Sequence, residues 1–127
     1  MNAAARRLAA LAALFGLTAV ILGAFGAHAL KDILDAVQRP IYEKAVSYQM
    51  YHALAILLVA LWLDRTPSKL LMVSGRFFSA GIILFSGSLY LLSTVGWPWL
   101  GPVTPLGGLC FITGWLCLAV SFFRARP

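Results

Sequence analysis

Tyr48, Gln49 and His52 stand beside an apolar run, residues 53–63, that is too short to cross a bilayer without them. The run has eleven residues, about half of the roughly 20 that a spanning helix needs. The missing turns must come from residues 40–52, which are polar, so an imidazole, an amide and a phenol are drawn to membrane depth. Polar groups there are costly and face a bundle interior or a water-filled cavity. Lys44, Tyr48, Gln49 and His52 are linked by steps of three and four, so they share neighbouring surface on one helix. Tyr51 borders that stripe and Glu43 lies near its start. His28, at the end of an earlier apolar run, falls on the same side of the membrane. Together these residues form the candidate polar cluster.

Three kinds of chemistry are open to such a cluster. It can tie helices and the outer loop together by hydrogen bonds, which is common in membrane bundles and is the favoured reading. It can form a proton or ion path through His52 and Glu43, because ionisable groups inside a span mark such relays. A metal or haem on His28 and His52 is the third, but no further ligand or attachment motif accompanies them. Ser86, Ser88 and Ser93 lack a nucleophile elbow or an Asp–His pairing. No catalytic, cofactor-binding or metal-binding residue is assigned, and no cofactor is expected.

The elements that must position these residues are transmembrane helices. Of 127 residues, 61% are hydrophobic and 11% charged, the balance of an integral membrane protein forming one domain, residues 1–127. The formal charge of +6 comes from ten Lys and Arg scattered through short loops; none forms a run suited to nucleic acid. The expected fold is all-α, a compact bundle with approximate spans 8–30, 42–63, 70–95 and 103–123. The opening Arg6-Arg7, apolar run and Ala27-His28-Ala29 imitate a secretory signal. However, residues 8–25 exceed the usual h-region of about 7–15, so the segment reads as a spanning helix. Leu30, Ile33, Leu34 and Val37 keep helical spacing opposite Asp32 and Asp35, which predicts a short amphipathic helix at the interface. Pro40 ends it and suits the first turn of the next helix. Ser68 is the expected N-cap of the third span, and Trp97 and Trp99 suit an interfacial belt.

Basic residues set the orientation. Arg6, Arg7, Arg65, Lys69, Arg76, Arg124 and Arg126 lie at one end, against Lys31, Arg39 and Lys44 at the other. Both termini are therefore expected in the cytoplasm, or in the matrix of an organelle. Small residues form packing seams: Ala12, Gly16, Ala19, Gly23 and Gly26 in the first span, and Gly107, Cys110, Gly114, Cys117 and Ser121 in the fourth. Ser79, Ser86 and Ser93 repeat every seven residues in the third. Such seams let backbones approach closely in lipid. Cys110 and Cys117 lie roughly 10 Å apart along one helix, too far for a disulfide.

Gly23-Ala24-Phe25-Gly26-Ala27-His28-Ala29-Leu30 resembles the end of the first helix in the small membrane family called domain of unknown function 423, whose eukaryotic relatives are called transmembrane protein 256. Tyr42-Glu43-Lys44-Ala45-Val46-Ser47-Tyr48-Gln49-Met50-Tyr51-His52-Ala53-Leu54 resembles its second block. Phe85-Ser86-Gly87-Ser88-Leu89-Tyr90 resembles the third, and Thr104-Pro105-Leu106-Gly107-Gly108 with Gly114-Trp115 the fourth. The likeness implies a four-helix protein of the bacterial inner (plasma) membrane and supplies no activity. The leading expectation is a non-enzymatic interaction or assembly protein in the lipid bilayer, with a membrane-protein partner or as a homo-oligomer. The alternative is a small transporter or proton-coupled carrier using the polar cluster.

Overall fold

A computed structural model describes residues 1–126. Four helical segments are long and apolar enough to cross a membrane. They are α1 (Ala3–His28), α2 (Gln38–Arg65), a third built from α3 (Lys69–Gly81) and α4 (Gly87–Thr94), and a last containing α5 (Val103–Arg124). A π-helical turn, Ile82–Ser86, joins α3 to α4, and a 3-10 turn, Pro98–Leu100, precedes α5. Among the described residues there is no strand.

Two features make α2 the centre of the bundle. It packs against α1 on one side and against α3 and α4 on the other, while α5 lies along α3 and the π turn. In the most apolar stretch of α2, 44% is buried, against 17% for α1. Towards the end that carries both termini the interior is aliphatic and aromatic, with Ile56, Val59, Leu71 and Phe78 fully buried. Asn2 caps α1 by accepting from the Ala5 amide. Its own backbone N–H donates to Asp64 Oδ1 at 2.6 Å, tying the start of α1 to the end of α2. Ser68 caps α3 by accepting from the Leu71 N–H at 3.3 Å, as its position ahead of the third span predicts. At the far end of α4, Gly96 has φ +75°, the left-handed conformation that lets a glycine close a helix.

The interfacial helix expected after the first span does not form. Residues 29–37 make turns instead. Asp35 Oδ1 accepts from the backbone N–H groups of Val37 and Gln38, both at 2.8 Å, while Gln38 Oε1 accepts from the Asp35 N–H at 2.9 Å. These local side-chain bonds compete with the helical ladder and initiate α2 instead. The apolar periodicity is divided accordingly. Leu30 and Leu34 are buried with Tyr42, whereas Ile33 and Val37 are 70% and 72% exposed.

Small residues let the helices close up at particular crossings. A β-carbon at Gly26 would overlap the Tyr42 ring, one at Gly114 the Phe78 ring, and one at Gly107 the backbone of Phe85. At Gly23 it would press on Val46 at 3.2 Å. Gly16 departs from the expected seam and faces open space. Phe15, packed on the core, occupies that level between buried Ala12 and Ala19. Cys110 is half-buried and unpaired in a disulfide. Gly75 and Gly81, absent from the seam pattern, are close-contact positions against Leu8 and Phe111.

Candidate functional site

The polar stripe of α2 is divided between two flanks. Gln49 turns towards α1 and α4. Its Nε2 donates to the Phe15 carbonyl at 2.9 Å and to Thr18 Oγ1 at 2.7 Å. The Thr18 hydroxyl donates to Leu14 O at 3.0 Å, which leaves its oxygen free to accept. Gln49 Oε1 accepts from the Tyr90 hydroxyl at 2.7 Å. One amide thus joins three helices with donors and acceptor all used. Tyr90 meets Tyr42 edge to face at 5.3 Å, and the Tyr42 hydroxyl donates to Leu22 O of α1 at 2.6 Å.

His52 turns the other way, into an aromatic box. Its ring stacks on Phe111 at 3.6 Å and touches Phe78, Tyr48 and Trp115. Its Nδ1 lies 2.7 Å from the Tyr48 carbonyl, and Trp115 Nε1 donates to its Nε2 at 3.1 Å. A carbonyl only accepts and an indole N–H only donates. The two bonds therefore select the neutral tautomer with its proton on Nδ1. Neither ring nitrogen is left for a metal or a transferable proton while both bonds hold.

Three serines extend the cross-linking. Ser86 Oγ donates to Ala45 O at 2.8 Å, and Ser74 Oγ to Gly114 O at 2.8 Å. Ser88 pairs with Thr104 at 2.6 Å. The π turn widens the third span just where Phe85 passes Gly107 and Ser86 reaches α2. Among the described residues, no buried side-chain polar atom lacks a partner.

The remaining cluster members are not drawn into this interior. His28, Glu43, Lys44 and Tyr51 are exposed. Glu43 lines a cleft of about 540 Å³ between α1 and α2 with Gly26, Lys31, Arg39 and Tyr42. Lys44, Tyr48, Tyr51 and His52 line a groove on the opposite flank, between α2 and α5. The convergence expected from spacing becomes two separate sites, because successive turns of α2 face different neighbours. Among the described residues, no three of His, Cys, Asp and Glu gather as metal ligands. Sequence reasoning missed Tyr90, Trp115 and Thr18 as partners. Tyr90 and Trp115 do lie within the blocks that carry the family resemblance, but nothing in their spacing marks them as facing inward.

Four apolar helices cross-linked through their polar side chains define an integral membrane protein of the helical-bundle class. Residues 22–108 match the family described as Protein of unknown function (DUF423), and the chain belongs to that family. It is similar to a UPF0382 membrane protein of Staphylococcus haemolyticus, 42% identical over 114 residues, covering 90% of this chain and 93% of the relative. It is also similar to the UPF0382 membrane protein YwdK of Bacillus subtilis, 42% identical over 87% of this chain and 91% of the relative. A third relative is the UPF0382 inner membrane protein YgdD of Escherichia coli, 39% identical over 91% of this chain and 88% of the relative. No solved structure matches.

Proposed function

We propose that the chain is a non-enzymatic interaction or assembly protein, an accessory subunit of a larger complex in the bacterial inner membrane, with both termini cytoplasmic. The observation that carries this reading is how the bundle distributes its surfaces. The buried polar groups of α2 are bonded to neighbouring helices, while α1 turns Leu14, Leu17, Val20, Ile21 and Phe25 outward. A helix held on one side and bare on the other offers its free face to whatever lies beside it in the membrane. Close packing, in place of the hydrophobic effect, then sets which neighbour fits. The orientation is supported by the basic residues at the terminus-bearing end, and the choice of membrane by the inner-membrane relative.

The proton-coupled carrier has less support. His28, Glu43 and His52 occupy three different surroundings, and both nitrogens of His52 are engaged. Photo-crosslinking from Leu17 and Ile21 in native membranes tests the assembly reading. A discrete protein adduct is expected from both, and none from the buried Ala19. Lipid-only adducts, with a solitary monomer in mild detergent, would overturn it.

A further inference from the structure

We propose that the groove between α2 and α5 seats one acyl chain of an anionic phospholipid, with the lipid phosphate against Lys44. The groove encloses about 680 Å³, within the roughly 300–1,000 Å³ typical of small-molecule sites. Both helices begin at the end away from the termini, so they run parallel. The groove follows α2 from Lys44 to His52 and α5 from Gly108 to Trp115. Those eight- and seven-residue steps amount to roughly 12 and 10 Å of helical rise. That nearly matches one leaflet of hydrocarbon, about half of the roughly 30 Å core. A partner helix crossing the membrane would need contact over about twice that length; an acyl chain does not.

The lining fits the same occupant. Among the described residues that line it, Lys44 is the only charged one, and Glu43 lines the separate cleft beside α1. A cation thus stands at the mouth, beside the Tyr48 and Tyr51 phenols. Below it the walls are the aromatic rings of Phe85, Phe111 and Trp115. Gly108 faces open space: a β-carbon there would meet nothing within 4 Å. The groove opens sideways along the flank of the bundle, where a spanning protein meets lipid, and Lys44 complements a phosphate electrostatically.

Native mass spectrometry of the full chain, titrated with phosphatidylglycerol or phosphatidylcholine, tests this. Wild type should retain one phosphatidylglycerol in preference to phosphatidylcholine. Lys44→Gln should weaken phosphatidylglycerol retention about fivefold, the contribution of one basic residue near an anionic surface, and leave phosphatidylcholine unchanged. Gly108→Phe should abolish retention of either lipid, with Ile112→Trp as a second blocking variant should the first not fold. Gly16→Phe, at another open position on α1, should bind as wild type does. Equal retention of both lipids by wild type would overturn the proposal. So would undiminished binding by both blocking variants, or a dimer in place of the lipid-bound monomer that Gly108→Phe dissolves. The outcome is independent of the α1 crosslinks, so this site and the assembly reading can fail separately.

Discussion

Around Ile56, Val59 and Leu71, nearest the termini, the helices meet mostly through side chains with no polar atom, the buried Ser74 hydroxyl on Gly114 O being the exception. One to two turns further along α2, Gln49 and His52 reach into neighbouring helices through directed hydrogen bonds. The two regions solve different problems. Apolar side chains gain little by exchanging lipid for one another, so the dry region is held mainly by close fit, with the Ser74 and Asn2 bonds beside it. A fit of that kind sets how near the helices come and tolerates adjustment. An amide that must satisfy Phe15, Thr18 and Tyr90 at once tolerates far less, and it fixes which helix lies where. The division of labour is between proximity and identity.

The sharpest way to break this comparison is steric. Gly107→Leu drives a side chain into the backbone of Phe85 and should destabilise by about 3 kcal/mol or more, the upper range of overpacking. Gly75→Ala, in the dry region, meets only the end of the Leu8 side chain and should cost less, about 1 kcal/mol. Denaturation in mixed micelles ranks the two, and equal effects would remove the distinction. Next, Gln49→Leu deletes three bonds and strands the Tyr90 hydroxyl. At about 0.6 kcal/mol for each interhelical bond it should cost about 2 kcal/mol. A stability like that of wild type would mean that the network specifies nothing. A double-mutant cycle on His52→Ala and Trp115→Phe should give a coupling of about 0.6 kcal/mol, and additivity would argue that the indole–imidazole bond is idle. Smallest of all, His28→Ala and Glu43→Gln should change stability by less than about 0.5 kcal/mol, because both residues are exposed.

That four helices are long and apolar enough to span a membrane was legible in the sequence, since hydropathy and length are additive along a chain. The partners of each helix were not. His52 and Gln49 announced themselves as polar groups that must face inward, yet their steps of three and four suggested one shared face. A three-residue step turns a helix by 300°, and that offset is enough to deliver Gln49 to α1 and His52 to α5. Trp115 was hidden for another reason: an indole in an apolar span has the pattern of a lipid-facing residue, and the residue is indeed 47% exposed. Its N–H nevertheless reaches His52, and one edge of the packing is made against Phe78. Gly16 and Phe15 show the limit of small-residue spacing, because the pattern cannot say which of two adjacent positions meets the neighbour. Residues 31–37 show the limit of apolar periodicity, which a single aspartate redirected by bonding to the backbone ahead of it.

The placement of the interhelical bonds also orders the making of the protein. Synthesis proceeds from the N-terminus, and α1 and α2 find partners within their own hairpin, through Thr18 with Gln49 and Leu22 with Tyr42. His52, Ser74 and Ser88 each bond to a residue of α5, which leaves the ribosome after the other three spans. Ser88 keeps its bond to Phe85 O and His52 Nδ1 its bond to Tyr48 O, but a nascent chain that has inserted three spans leaves Ser74 Oγ and His52 Nε2 without their partners. Both stay uncovered until α5 arrives.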